Sequence, residues 1–286
     1  MTSMTDLPAG GDAAFSRDDV PAPVAAPVDL ATLPTGLRRS AELFKLFRRE
    51  QTEPDRFYNF LAADTVAELA RHVDLQGKRA IDIGGGAGYM ADALRAQGAT
   101  TLLLEYDHAE LHGHGRQPYG AVRGDAMALP VHEGSLDIVH SSNVLEHVPS
   151  PEAMLAEMVR VLRPGTGLGY VAFPNWYSPW GGHETAPWHW VNGRWAVERY
   201  TRKYGRKPKN EIDVSLFAVH IKDVLAWFAG QPDVEVLWRG PRYYPRWTTP
   251  LVLVPGVREV LTWNLCVVFR RRPGQHAGTG LSAGGN

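Results

Sequence analysis

Ala80-Ile81-Asp82-Ile83-Gly84-Gly85-Gly86-Ala87-Gly88-Tyr89 decides the fold of this 286-residue chain. An apolar run that ends in an acid and then a glycine loop reads as a buried strand turning sharply into a helix. Glycines at alternate positions let the backbone bend and approach a ligand where a Cβ would collide, which describes a nucleotide-cofactor cradle. The spacing is Asp82-x-Gly84-x-Gly86-x-Gly88. A dinucleotide fingerprint, Gly-x-Gly-x-x-Gly, would place its third glycine where this chain has Tyr89, so hydride transfer ranks below other nucleotide-cofactor chemistry.

Outward from that loop the pieces arrive in a fixed order. A helix over 89–96 is followed by the apolar strand Thr101-Leu102-Leu103-Leu104, which ends in Glu105. The short strand Ala121-Val122-Arg123 runs into Gly124-Asp125-Ala126-Met127. Leu136 to Val148 carries a further strand into a polar loop with Ser142, Asn143 and Leu145-Glu146-His147.

From about Lys78 to Phe173 this order resembles the class I S-adenosylmethionine-dependent methyltransferases. The resemblance implies an α/β, Rossmann-like doubly wound sheet of seven strands, mostly parallel with an antiparallel last strand and with helices on both faces. It implies S-adenosylmethionine as cofactor, held by Asp82, Gly84, Gly86 and Gly88. Glu105 matches the family acid that accepts from both ribose hydroxyls, and a carboxylate with two acceptor oxygens suits a vicinal diol. Asp107 is its nearby rival. Asp125 matches the acid that receives the adenine amino group, with Tyr106 and Ala126 beside the two acids. Ser142 and Asn143 match the residues that approach the methionine end, and Tyr58, on a helix preceding the first strand, could donate to the methionine carboxylate or pack as an aromatic.

Composition fits without deciding. With 44% hydrophobic residues the chain can bury one large α/β core. Thirty basic against thirty-one acidic residues call for neither nucleic acid nor an anionic membrane. A lone cysteine, Cys266, cannot form an internal disulfide and agrees with a reducing, cytoplasmic address. No apolar run reaches the ~18 residues of a membrane span, and no signal pattern opens the chain.

Residues 1–34, rich in Ala, Pro, Asp and Gly, read as a disordered leader, and 273–286, rich in Gly, Ser and Ala, as a disordered tail. The rest reads as one domain over 35–272. A helical cap occupies 35–75, the core 78–173, an aromatic-rich insert about 175–215, and a helix with a closing strand pair 220–272. The helix over 151–162 has Ser150 to cap it, Pro151 at its first position and Pro164-Gly165 beyond its end, and is scaffold. Strands alternating with helices predict a parallel sheet whose ligands lie beyond the strand carboxyl ends.

That rule points to the stretch after Phe173, where five of the nine tryptophans fall between Trp176 and Trp195. Such rings would wall an acceptor substrate, or form a satellite core under the insert. An acceptor hydroxyl would need a base, and His183, beside Glu184 and after Gly181-Gly182, is preferred, with His147 and His189 as alternatives. The residues after the fourth strand, Ser142-Asn143-Val144, lack the Pro-Pro-aromatic turn of enzymes that methylate exocyclic amines. The basic cluster Arg202, Lys203, Arg206, Lys207 and Lys209 reads as a solvated face rather than a nucleic-acid site. The expected function is methyl transfer by in-line displacement to a small-molecule or lipophilic acceptor, at oxygen before nitrogen or carbon. A nicotinamide-dependent oxidoreductase and a catalytically silent cofactor-binding protein are the alternatives. Nothing in the pattern implies a metal.

Overall fold

The computed structural model describes residues 29–112, 115–116 and 118–274. The expected disordered leader and tail fall mostly outside the described residues. Within the leader's last stretch, Leu30–Thr32 form a 3₁₀ turn in which the Ala31 amide donates to the Asp29 side chain at 3.0 Å.

The core is a seven-stranded sheet in the order β3-β2-β1-β4-β5-β7-β6. Its strands are β1 (Arg79–Ile83), β2 (Thr100–Glu105), β3 (Ala121–Arg123), β4 (Ile138–Ser142), β5 (Leu168–Pro174), β6 (Val234–Pro241) and β7 (Asn264–Arg271). All pairings are parallel except those of β7, which runs against both β5 and β6. The expected doubly wound sheet with an antiparallel last strand is therefore present. The order reverses direction between β1 and β4, and a parallel sheet opens a crevice beyond its carboxyl edge at such a reversal.

Helices cover both faces. Against one face lie α2 (Pro54–Leu69) and α3 (Tyr89–Ala96), and α1 (Gly36–Phe47) packs on α2 at the sheet's carboxyl edge. Against the other lie α5 (Pro151–Val161) and α7 (Ile221–Ala229). Between them in the chain come α4 (His108–Leu111) and α6 (Gly193–Tyr204), and α8 (Val257–Leu261) precedes β7.

Strand alternation sorts the core onto the two faces. Ile81 and Ile83 of β1, Val171 and Phe173 of β5, and Val267 and Phe269 of β7 pack toward α5 and α7. Ala80, Tyr170, Ala172, Cys266 and Val268, one residue out of step, pack toward α2 and α3. α4 is a single turn. The insert after β5 is less of a loop than its glycines and prolines suggest. It makes 3₁₀ turns at His183–Thr185 and Trp188–Trp190 and then α6, which Asn192 caps by accepting from the Trp195 amide at 3.0 Å. No helix among the described residues is long and apolar enough to cross a membrane.

Candidate functional site

β1 ends in the glycine loop because three of its residues take conformations that side chains resist. Gly84, Gly86 and Gly88 have φ of +66°, +49° and +84°. At Gly86 the space a Cβ would enter is open apart from the Glu110 carbonyl at 3.9 Å, so the backbone presents itself to whatever fills the cleft. Gly85 is needed for a different reason: a Cβ there would come within 2.5 Å of Asp82 Oδ2.

Asp82 is buried and sits in direct register with His140 of β4. His140 Nδ1 donates to Asp82 Oδ1 at 2.7 Å, while Oδ2 has no hydrogen-bond partner. Tyr170 stacks on the far side of the His140 ring, 5.2 Å between centroids, and so fixes its plane.

Glu105, at the tip of β2, is buried to 8% exposure and accepts three backbone amides. Gly86 N reaches Oε2 at 3.0 Å, and Tyr106 N and Asp107 N reach Oε1 at 2.8 and 3.0 Å. The three bonds hold the side chain in place at the mouth of the glycine loop. Its rival Asp107 instead caps α4, accepting from the Ala109 amide at 2.8 Å.

A cleft of about 240 Å³ opens between this loop, α2 and the carboxyl end of β4. Of the residues expected to hold a cofactor, Asp82, Gly84, Gly86, Ser142, Asn143 and Tyr58 line it. Gly88 stands behind the loop as the residue before α3, and Glu105 adjoins the cleft through its bond to Gly86. Tyr106 is two-thirds exposed. Asp125 accepts from the Met127 amide at 2.8 Å in a tight turn, and Ala126 is packed into the core. Tyr58 packs as an aromatic, its ring stacking on Tyr89 at 5.3 Å, and its hydroxyl, expected to reach a methionine carboxylate, donates here to Glu50 at 2.5 Å.

Two cleft residues carry no sequence signal. His140 sits inside an apolar strand, and Arg242 follows the end of β6, beyond any motif. Arg242 is buried. Its Nη1 donates to Ser142 Oγ and its Nη2 to Thr65 Oγ1 at 3.0 Å, while Nε has no partner. No carboxylate among the described residues lies within ion-pair distance of it.

A second polar group forms just past Asn143, in the 3₁₀ turn Leu145–His147 and in the insert. Glu146 is 2% exposed, and neither carboxylate oxygen has a hydrogen-bond partner. Burial pushes its carboxyl up to about 7, against a smaller opposing pull from His147. His147 Nε2 is 3.7 Å and His183 Nε2 3.9 Å from Glu146 Oε1. Burial and the neighbouring His147 push His183 down to about 4.

Glu184, expected to serve His183, is exposed and accepts from the Asn210 side-chain amide at 3.2 and 3.3 Å. That amide lies 3.4 Å from His183 Nδ1, so Glu184 reaches the ring only through Asn210, and the carboxylate facing His183 is Glu146. His189, the third candidate, is a core residue, with Nε2 on the Trp176 carbonyl at 2.8 Å and its ring edge-on to Trp176.

The tryptophans divide. Trp188 and Trp195 pack on each other, with Arg199 over Trp188, as a satellite core of the insert. Trp180 instead meets Phe47 of α1 at 5.0 Å and Trp263 at 4.8 Å, and Trp263 meets Tyr244. Phe47 also approaches Tyr243, the residue after Arg242, at 6.2 Å. A row of rings therefore leads away from the cleft wall. Of the basic cluster, Lys207 pairs with Glu211 and Lys209 with Glu110 at the surface.

A family model described as a methyltransferase domain matches residues 81–170. A methyltransferase of Mycolicibacterium vanbaalenii is 43% identical over 244 residues, which cover 82% of this chain and 94% of that one. One of Mycolicibacterium gilvum is 43% identical over 255 residues, covering 86% and 99%. Among solved structures, an S-adenosylmethionine-dependent methyltransferase of Mesorhizobium loti superposes with a TM-score of 0.48 at 17% identity, over 72% of this chain and 96% of that one.

Proposed function

The chain belongs to the class I S-adenosylmethionine-dependent methyltransferases, which sets aside the nicotinamide alternative, and on that footing we propose that it methylates an oxygen of a small, lipophilic acceptor. Bound, the cofactor supplies a methyl group on a sulfonium that departs as a neutral thioether.

The residues present suit that cofactor. Asp82 Oδ2 and Arg242 Nε are buried polar atoms without partners in the groups that line the cleft, and the Gly86 backbone faces open space beside Glu105. Glu105 takes the ribose hydroxyls, with Tyr106 beside it, and Asp125 and Ala126 take the adenine side. Gly84, Gly86 and Gly88 shape the loop. At the methionine end Asp82, Ser142 and Asn143 face the ammonium and Arg242 the carboxylate, with Tyr58 closing the cleft from α2. Opposite charges and fixed donors at the two ends of one ligand set its orientation, and orientation is most of what an in-line displacement asks of a protein.

The observation that carries the acceptor reading is the row of rings. It begins at Tyr243, beside the cleft residue Arg242, and continues through Phe47, Trp180 and Trp263. An apolar wall of this kind suits an apolar acceptor and keeps water from the methyl group. Oxygen is favoured as the acceptor atom because Glu146 and His147 come just after the cleft residue Asn143 in the chain, the insert brings His183 beside them, and such a cluster can handle a hydroxyl proton. His183, with Glu184 acting on it through Asn210, and His147 are the residues assigned to that task.

The test is incubation of the protein with methyl-labelled S-adenosylmethionine and fractionated cell extract. Label is expected in an organic-soluble product whose new bond is an O-methyl. Label confined to protein or nucleic acid would overturn the acceptor class. Cofactor binding with no labelled product in any fraction would return the silent-binding alternative.

A further inference from the structure

Glu146 is a buried anion or buried acid with nothing to bond. Taking an unpaired carboxyl group out of water costs several kcal/mol unless a partner restores its interactions, and native folds rarely leave one so placed. Neither neighbouring imidazole gives it a hydrogen bond, and His147 turns a lone pair toward it. His147 Nδ1 is 2.7 Å from the Ser215 carbonyl, which can only accept; Nδ1 therefore carries the proton and Nε2 presents a lone pair toward Glu146. A backbone carbonyl on the far nitrogen is the usual way a protein sets the tautomer of a metal-binding histidine. His183 is held in the left-handed region, φ 47°, with its buried Nε2 unpartnered. The Asn210 amide nitrogen, which donates to Glu184, lies 3.4 Å from Nδ1, so ligation through Nε2 requires Nδ1 to carry the proton and that amide to turn aside.

We propose that Glu146, His147 and His183 form a binding site for one divalent first-row transition-metal ion, held by two imidazole Nε2 atoms and one carboxylate. The three ligand atoms lie within 4.8 Å of one another. A point equidistant from atoms so spaced is roughly 2.2 to 2.5 Å from each, so an inward shift of a few tenths of an ångström reaches the 2.0 to 2.2 Å of metal bonds to nitrogen and oxygen. Two imidazoles with one carboxylate suit Zn²⁺, Mn²⁺ or Fe²⁺ and leave coordination positions open, unlike a closed four-ligand structural site. Mg²⁺, which prefers oxygen and keeps its waters, is the poorer match. With the ion in place both Nε2 lone pairs are ligands rather than bases for the acceptor hydroxyl; that an open position receives the acceptor oxygen instead rests on the oxygen reading above, and the ion site itself does not.

The full-length protein, stripped with chelator and dialysed, is titrated calorimetrically with ZnCl₂, MnCl₂ and MgCl₂, and its retained metal is counted by elemental analysis. One equivalent of Zn²⁺ or Mn²⁺ is expected, bound more tightly than Mg²⁺. Glu146→Gln and His183→Asn are each expected to weaken it on the order of 100-fold or more, as loss of a ligand exceeds the 10- to 100-fold cost of losing an outer partner. S-adenosylhomocysteine binding, measured on the same samples, should stay within about twofold, which also shows that the variants are folded. Co²⁺ added to the unaltered protein reads the ligand set without mutation, through visible absorption bands of a low-coordinate nitrogen and oxygen site. Absence of saturable Zn²⁺ and Mn²⁺ binding, or unchanged affinity in both Glu146→Gln and His183→Asn, would overturn the site. Intact metal binding with no binding of S-adenosylhomocysteine would overturn the methyltransferase reading and leave the site standing.

Discussion

Asp82 and His140 stand side by side on adjacent parallel strands, in register, joined by a hydrogen bond of 2.7 Å inside the sheet's carboxyl edge. The bond fixes which oxygen of Asp82 faces inward and leaves Oδ2 for a ligand in the cleft. Replacing His140 by Phe keeps a ring against Tyr170 but strands the acid. Loss of about 1–3 kcal/mol of stability is expected, the usual penalty for an unsatisfied buried polar group, together with roughly tenfold weaker cofactor binding. Chemical denaturation and calorimetry check the two effects. Unchanged affinity would mean that Asp82 does not face the ligand.

Glu105 ties the glycine loop to the residues just past β2 by accepting amides from both. Glu105→Ala removes that anchor and the carboxylate assigned to the ribose in one step. A hydrogen bond to a charged group is worth about 1.5–3 kcal/mol, so S-adenosylhomocysteine affinity should fall roughly 10- to 100-fold or more. The same change at Asp107, which only caps the single-turn α4, should leave affinity nearly unaltered. Equal losses at both positions would reassign the ribose contact.

The parts of the site legible in the sequence were those held by backbone geometry. Gly84 and Gly86 announce themselves because few other residues tolerate their φ, and Glu105 because it ends an apolar strand. His140 and Arg242 gave no sign. A histidine within a strand looks like packing until its register partner is known, and Arg242 reaches Ser142 and Thr65 across 100 and 177 residues of sequence. Glu146 looks like one residue of a polar loop, because its burial and its approach to His183 appear only once distant parts of the chain are brought beside it. His183 was singled out for its glycine neighbours and for Glu184, yet the carboxylate it faces is Glu146. The helix α6 was hidden because charged and aromatic residues dominate it and only Ala196 is buried.

Glu146 makes the metal-free protein sensitive to alkali. Its carboxyl is raised from 4.5 to about 7 in the folded chain, so the fold favours the protonated form. The stability this gives is complete below pH 4.5 and is lost as pH rises through about 7, an effect of up to about 3 kcal/mol. Glu146→Gln mimics the neutral acid at every pH. The chelated variant should therefore match the chelated parent near pH 5 and exceed it in melting temperature near pH 8. A difference independent of pH would show that Glu146 is not ionising in a buried site.

Arg242 separates a structural from a binding role most cleanly. A buried arginine that answered a buried carboxylate would leave that carboxylate uncompensated when removed, at a cost of several kcal/mol. Arg242 has no such partner among the described residues; its donors go to two hydroxyls, and Nε is unserved. Its desolvation is therefore poorly repaid in the ligand-free protein, and Arg242→Met, similar in bulk and uncharged, should be close to neutral or stabilising. With cofactor bound as proposed the balance should invert, because the carboxylate of the methionine end would supply the missing charge. A ligand at one hundred times its Kd raises stability by about 2.7 kcal/mol. S-adenosylhomocysteine at that level should lift the melting temperature of the parent and leave Arg242→Met almost unmoved. Arg242→Lys, which keeps the charge but not the fork, should fall between them. If instead Arg242→Met is badly destabilised without ligand and still gains the full increment with it, the guanidinium belongs to the scaffold and the methionine carboxylate is held elsewhere.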